Sequence, residues 1–157
     1  MILLGRQQKK IQSQLVTLDE FARFISRGNY AKMHHIYNQF PWPDENGGDT
    51  ILRRINYDKR PKNEPVTNVT WVEAYAFCIF SKCSLPKKAD LISGLVVPSI
   101  LSMEIETGAV TEEWCLGNLD RGEREKPVCD GKRSRLYRLG WSAHCLGFRM
   151  VDYNKIC

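Results

Sequence analysis

The sequence predicts one α+β domain. Its 157 residues are enough to bury a single hydrophobic core, and 43% of them are hydrophobic, as in ordinary globular proteins. Two helix starts stand out along the chain, and short strand-like segments separated by loops fill its second half. Two helices followed by short strands are typical of domains in which helices pack against a small sheet.

Both predicted helices begin with a capping box. Residues 17–20 (TLDE) and 70–73 (TWVE) have the spacing at which a threonine hydroxyl and a glutamate carboxylate satisfy each other's backbone N–H groups. Apolar side chains then recur at helical spacing, at Leu18, Phe21, Ala22 and Ile25 in the first helix and at Trp71, Ala74, Tyr75, Phe77 and Cys78 in the second. Gly28 predicts the end of the first helix, and the second is expected to stop near Lys82.

The rest of the chain predicts turns and short strands. Residues 40–48 (FPWPDENGG) consist largely of turn formers, and few helix or strand signals occur between the two helices. Extended segments are predicted at residues 103–110, 113–116, 136–139 and 147–151.

The net charge of +5 is concentrated in two clusters, within residues 53–62 and 121–138. Clusters of this kind can bind phosphates. No nucleic-acid-binding motif accompanies them, so solvated loops are the favoured interpretation and we expect no nucleic-acid partner.

No segment predicts membrane insertion or export. Every apolar run is shorter than the roughly 18 residues that cross a bilayer, and residues 1–6 (MILLGR) lack the charge and length of a signal peptide. We therefore expect a cytoplasmic protein without a membrane partner. In that compartment the six cysteines are expected to be reduced thiols, with Cys78 as a small core residue.

Six segments, in order along the chain, resemble motifs of the formylglycine-generating (sulfatase-modifying) enzyme family. The strongest match is residues 65–78 (PVTNVTWVEAYAFC), which are similar to the family's P-V-x-x-V-S-W-x-D-A-x-A-Y-C. Residues 15–21 (LVTLDEF) resemble its opening P-V-T-N-x-x-(Y/F). Residues 85–91 (LPKKADL) resemble its R-L-P-T-E-A-E-W-E, with the acidic and tryptophan positions changed.

The remaining three matches lie in the second half. Residues 108–115 (GAVTEEWC) resemble G-N-V-W-E-W-C with one residue added, residues 138–142 (RLGWS) resemble R-G-G-S-W, and residues 146–151 (LGFRMV) resemble L-G-F-R-x-V. The resemblance implies one domain over residues 1–157, with its core at 15–151. It also implies a C-type lectin-like fold of two helices, a small antiparallel sheet and extensive irregular loops, and a prokaryotic source is expected. Arg149 lies between apolar residues, so it requires a carboxylate partner if it is buried.

The sequence lacks the cysteine and histidine ligands that the metal-dependent chemistry of the family requires. The family's oxidase uses two cysteines after R-G-G-S-W to hold copper, and copper(I) prefers thiolates. Here residues 143–146 (AHCL) contain only Cys145, and the adjacent His144 is awkwardly placed to act as its base. Iron-dependent relatives use histidines, but His34 and His35 are neighbours whose side chains point in different directions on a helix. No catalytic residue, metal ligand or cofactor is therefore assigned.

We expect a non-catalytic module that binds a protein or peptide partner or a small polar ligand. The candidate ligand-binding residues form an aromatic and charged mixture on loops: Glu112, Glu113, Trp114, Arg138, Trp141 and His144. For Trp114 and Trp141 the alternative is a place in the core. Two other functions remain open, an oxidoreductase of the family with an altered metal site and a variable ligand-display protein of a diversity-generating retroelement. The short loop at residues 142–146 argues against the second.

Overall fold

A computed structural model describes residues 10–26, 48–98, 110–117, 124–130, 133–138 and 140–154. Within these residues, four helices and seven strands form a mixed α/β fold. The helices are α1 (Leu18–Ser26), α2 (Gly48–Arg54), α3 (Trp71–Phe80) and α4 (Lys88–Ser93). The strands are β1 (Ile11–Leu15), β2 (Val96–Pro98), β3 (Glu112–Trp114), β4 (Glu125–Asp130), β5 (Arg133–Arg138), β6 (Leu146–Gly147) and β7 (Arg149–Val151). Among the described residues, no helix is both long enough and apolar enough to cross a membrane.

Capping boxes start the two helices predicted from the sequence. At α1, the Glu20 backbone N–H donates to Thr17 Oγ1 over 3.2 Å, and the Thr17 backbone N–H donates to the Glu20 carboxylate over 3.1 Å. At α3, Thr70 and Glu73 make the same reciprocal pair. The predicted end of α3 is confirmed, because Lys82 follows its last residue closely and has a left-handed φ of 59°.

The structure adds two short helices that the sequence pattern did not predict. α2 begins at the end of the turn-rich residues 40–48, places Ile51 in the core and ends at Arg54, which bonds the Glu73 carboxylate. α4 ends at Gly94, whose φ of 80° is a left-handed cap that glycine adopts without steric cost. Helices of six and seven residues are too short for apolar periodicity to reveal them.

Two mixed sheets replace the single small antiparallel sheet that was expected. The strand order is β2–β1–β7 in one sheet and β5–β4–β3–β6 in the other. The β1–β2 and β3–β6 pairs are parallel, and the other pairs are antiparallel. Strand β4 was not predicted, because Pro127 lies within it and proline has no N–H to donate to a ladder.

Two predicted features lie largely outside the described residues. The strand expected at residues 103–110 is described only at Val110, which belongs to no strand. Gly28, the predicted end of α1, is also outside them. The strands expected at residues 113–116 and 136–139 are confirmed, with boundaries shifted by up to three residues. The single strand expected at residues 147–151 is divided, because Gly147 ends β6 in one sheet and β7 begins at Arg149 in the other.

Helices α1, α2 and α3 share one main core with the second sheet. Phe77 of α3 packs its ring against those of Phe21 and Phe148, with centroids 5.9 and 5.7 Å apart. Trp71 is fully buried in the same cluster. Cys78 is also buried there, which confirms its prediction as a small core residue. This core fixes the positions of β3 and of the loop after β5, where the candidate site residues lie.

Candidate binding site

Trp114 lies on β3 and points into the core. Its side chain is fully buried, and its indole Nε1–H donates to the Val69 carbonyl over 2.9 Å. The ring also meets Tyr137 edge to face, with centroids 6.3 Å apart. The structure therefore places Trp114 in the core, the alternative left open by the sequence, and not on the surface that a ligand reaches.

Glu113, the preceding residue of β3, forms an ion pair with Arg149 of β7. Its carboxylate oxygens lie 2.5 Å from Arg149 Nε and 3.1 Å from Arg149 Nη2. Arg149 also donates to Ser13 Oγ on β1 over 2.8 Å. The expectation that a buried Arg149 needs a carboxylate partner is confirmed. Glu113 is that partner, so its carboxylate joins the two sheets and is already engaged within the protein.

Glu112 is buried beside the loop that follows β5. Tyr137 Oη–H donates to its carboxylate over 2.6 Å, and Cys145 Sγ–H donates to the other oxygen over 3.4 Å. The backbone N–H groups of Thr111 and Glu112 both donate to the Cys145 carbonyl. Glu112 therefore positions Tyr137 and Cys145 and does not present its carboxylate to solvent.

Tyr137 connects this buried carboxylate to the surface. The hydrogen bond to Glu112, together with burial and the charge of that carboxylate, raises the pKa of Tyr137, while a hydrogen bond with Arg135 opposes the rise. The phenol ring lies between Trp114 and Trp141, at a centroid distance of 6.3 Å from each. The sequence did not identify Tyr137 as part of the site, although Tyr137 lay within the strand predicted at residues 136–139.

Tyr137→Phe tests this hydrogen bond through its pH dependence. Because the folded-state pKa is raised, the stabilisation is complete below the pKa of an unfolded tyrosine, about 10, and is lost as pH rises through the folded-state value. We expect the variant to be less stable by up to about 1 kcal/mol near neutral pH. That difference should shrink in strongly alkaline solution. Urea melts of both proteins across this pH range measure it, and a pH-independent difference contradicts the assignment.

Three predicted site residues do reach the surface. The Trp141 side chain is 54% exposed, and Arg138 and His144 are also exposed. The Trp141 backbone N–H donates to the Arg138 carbonyl over 2.9 Å, which fixes the turn out of β5. One side of the indole is supported by Tyr137, and the structure thus holds an aromatic platform at the surface beside a cation.

The loop that carries these residues is fastened to the segment before α3. The Asn68 backbone N–H donates to the carbonyls of Ala143 and Leu146 over 3.0 and 3.1 Å. Asn68 has a left-handed φ of 64°, which turns its N–H toward the loop. Gly147 completes the contact, because a Cβ there would stand 2.7 Å from the Val66 carbonyl oxygen. The loop therefore has a defined position before any partner arrives.

Strand β5 adds further exposed residues that the sequence did not single out. Arg133, Arg135 and Leu136 are all exposed, and Leu136 is 60% exposed despite its apolar side chain. The predicted strand began at residue 136, so the two arginines were counted among loop charges. Because successive residues of a strand point to opposite faces, Arg133 and Arg135 lie on the same face as Tyr137, whereas Leu136 and Arg138 lie on the other face.

The other basic cluster, at residues 53–62, is mostly engaged within the domain. Arg54 bonds the Glu73 carboxylate and the Asn68 carbonyl. Arg60 donates to Thr67 Oγ1 over 2.6 Å, and Lys62 donates to the Tyr57 carbonyl. These bonds give Arg54, Arg60 and Lys62 a structural role, while Arg53 and Lys59 are exposed.

The donor set does not fit the copper site that the resemblance implies. Cys145 is the one cysteine in residues 140–154, and its thiol donates to Glu112. Copper(I) held by thiolates needs a second soft ligand. In the described part of the chain, no three His, Cys, Asp or Glu side chains converge as a metal site requires, and His34 and His35 lie outside it. These residues support no step through copper.

A protein-family model described as the sulfatase-modifying factor enzyme 1-like domain matches residues 6–95. The match spans 90 residues (95 − 6 + 1), more than half of the 157-residue chain. It contains both capping-box helices and the strongest motif, at residues 65–78. No curated protein sequence matches the chain.

Proposed function

We propose that this chain, which belongs to the sulfatase-modifying factor enzyme 1-like family, is a non-catalytic module that binds an extended acidic peptide along β5 and Trp141. The observation that carries the proposal is the exposure of Trp141 on a fastened loop, beside an exposed arginine strand. We further propose that the scaffold is the C-type lectin-like fold, which agrees with the two capped helices, small sheets and long connections.

The aromatic platform supports recognition of a partner. Tryptophan is among the residues that contribute most to binding energy at protein interfaces. Tyr137 backs the Trp141 indole, and Glu112 fixes the Tyr137 hydroxyl, so the platform loses little conformational freedom when a partner covers it. The exposed Leu136 side chain on β5 offers additional apolar contact.

The charge of β5 supports an acidic partner. Its three arginines are exposed, and the planar guanidinium group binds carboxylates through two parallel hydrogen bonds. Across the β4–β5 ladder, Asp130 stands opposite Arg133 and Glu125 stands opposite Arg138. Arg135 has no acidic residue opposite it. Positive charge therefore predominates on this strand pair.

The position of β5 supports an extended partner. β5 is at the end of its sheet, and among the described residues it pairs only with β4. A strand at a sheet edge presents backbone N–H and C=O groups to which an extended peptide can add as a further strand. Charged side chains on such an edge also discourage pairing with a second copy of the same strand.

Catalysis is not part of the proposal because the loop lacks the family's reactive pair. The family's oxidase relies on two thiols after R-G-G-S-W, and the corresponding loop here has the single Cys145. The Cys145 thiol donates to the Glu112 carboxylate, which also accepts from the Tyr137 hydroxyl. Glu112 and Cys145 therefore help to position Tyr137, which supports the exposed Trp141 ring.

A peptide-display selection on the full chain tests this function. We expect enrichment of extended sequences rich in aspartate and glutamate. Trp141→Ala is expected to weaken the selected peptides about tenfold or more, which corresponds to roughly 1.4 kcal/mol, and Arg138→Glu is expected to weaken them further as salt is lowered. Fluorescence anisotropy of labelled peptides measures both effects.

Phe80→Ala is the matched control. Phe80 is an aromatic residue of similar exposure, 46%, at the end of α3, and its removal should leave peptide affinity unchanged. Two results contradict the proposed function: a selection without acidic enrichment, or equal affinity of wild-type protein and Trp141→Ala for the enriched peptides.

A further inference from the structure

The thiols of Cys115 and Cys129 meet in the interior of the second sheet. Their sulfur atoms are 3.1 Å apart, about 1 Å more than a disulfide bond, and both side chains are buried. Cys129 lies on β4 opposite Glu113, and the Cys115 N–H donates to the Pro127 carbonyl over 2.9 Å. The two cysteines are therefore diagonal neighbours across the β3–β4 pair, and their sulfur atoms must approach each other by about 1 Å to form a bond.

The surroundings give the two thiols different reactivity. The hydrogen bond with Cys115 lowers the pKa of Cys129, and nearby Lys88 lowers it further, although burial and Glu113 act in the opposite direction. The same hydrogen bond, with burial, raises the pKa of Cys115. Either thiol can donate this hydrogen bond, and the lowered pKa makes Cys129 the sulfur that loses its proton more readily. A cysteine of lowered pKa next to a second thiol is one feature of oxidant-sensitive cysteines, and the burial of both sulfur atoms restricts the oxidant to small molecules.

We propose that Cys115 and Cys129 form a redox-active dithiol that small peroxides convert to a disulfide. The Cys129 side chain is only 3% exposed, which favours an oxidant of the size of hydrogen peroxide over a bulky disulfide. This inference is independent of the binding function, because it rests on neither Trp141 nor β5.

The reaction is a two-electron oxidation in two steps. The Cys129 thiolate attacks one peroxide oxygen, the O–O bond breaks, and the leaving hydroxide takes a proton to become water. The sulfenic acid so formed at Cys129 is then attacked by the Cys115 sulfur. The S–S bond forms, the S–O bond breaks, and the hydroxyl group leaves with the Cys115 proton as a second water. Two thiols are oxidised, and one hydrogen peroxide is reduced to two waters.

The disulfide has a structural consequence. It closes a loop of 15 residues, from Cys115 to Cys129 (129 − 115 + 1), between strands β3 and β4. A covalent link of this kind stabilises a fold mainly by restricting its unfolded chain. Because β3 carries Glu112 and Trp114, oxidation also ties down the strand that supports Tyr137.

The test treats reduced full-chain protein with hydrogen peroxide, alkylates it under denaturing conditions and digests it with trypsin. Cys115 and Cys129 then fall in the peptides 89–121 and 125–132, since the Lys126–Pro127 bond resists cleavage. We expect these two peptides to appear joined, and dithiothreitol to separate them. The thermal midpoint of the oxidised protein should rise by roughly 5 °C or more and return on reduction.

Serine variants identify the role of each thiol. Cys115→Ser should accumulate a dimedone-reactive sulfenic acid at Cys129, Cys129→Ser should form none at Cys115, and Cys83→Ser should form the same cross-link as the wild type. Peroxide that joins other cysteines, or that oxidises wild-type Cys129 to sulfinic acid without the cross-link, overturns the proposal. The wild-type peptide map decides the question even if a serine variant fails to fold.

Discussion

Trp71→Ala is expected to lower the free energy of unfolding by about 3–5 kcal/mol, a large part of the total for a domain of this size. The indole is fully buried and stacks on Tyr75 at a centroid distance of 4.8 Å. Its Nε1–H donates to the Cys115 carbonyl over 2.9 Å, and Lys126 Nζ lies 4.5 Å from the ring centre. Truncation thus removes a core ring and leaves a buried carbonyl without its donor.

Urea melts of Trp71→Ala and of three variants at exposed residues compare the core tryptophan with the proposed binding surface. Trp141→Ala removes the same side chain from the surface and should cost less than about 1 kcal/mol, while Arg138→Ala and His144→Ala should each change stability by about 0.5 kcal/mol or less. If His144→Ala unfolds the domain and Trp71→Ala is tolerated, both the motif assignment and the proposed binding face are wrong.

The features that the sequence predicted best are those fixed by neighbouring residues. Each capping box depends on two side chains three residues apart, and both formed as expected at Thr17 and Thr70. The burial of Trp71 follows equally from its place at the start of an apolar helix. Such signals are local, so a single sequence contains them in full.

The sheets depend on contacts between residues that are far apart in the chain. β1 pairs in parallel with β2, and its register joins Ile11 to Val96. The segment forming β1 is polar at three consecutive positions, Gln12 to Gln14, and gives no sign of a parallel partner 85 residues later (96 − 11). The order of the strands, and the division into two sheets, could not be predicted for the same reason.

The predicted site residues divide into those that reach the surface and those that are held in the interior of the protein. Trp141 reaches the surface, but Trp114 lies in the core and Glu113 is held by Arg149. Successive residues of a strand point to opposite faces, and the sequence alone does not say which face of β3 is covered. Tyr137 was missed because its role depends on Glu112, which lies 25 residues away.

Glu113→Ala is expected to lower the free energy of unfolding by about 3 kcal/mol, although Glu113 was first predicted to contact a ligand. The substitution removes the Glu113 carboxylate from the buried Arg149 guanidinium, which also donates to the neutral Ser13 Oγ. Glu113→Gln keeps an acceptor and should cost less. Glu125→Ala, which removes an exposed carboxylate from the neighbouring strand, should change stability by about 0.5 kcal/mol or less.

The double variant Glu113→Leu with Arg149→Met distinguishes two free energies. One is the net contribution of the ion pair to stability, and the other is the loss of stability when only one partner is removed. Replacing both charges by apolar groups of similar volume removes the desolvation penalty, so the double variant should be more stable than Glu113→Ala. Urea melts of the wild type, Glu113→Leu, Arg149→Met and the double variant form a thermodynamic cycle. This cycle gives the coupling free energy between Glu113 and Arg149. Additive losses would mean that Glu113 and Arg149 act separately. Glu113 would then be free to serve the binding face, and the role assigned to it here would be wrong.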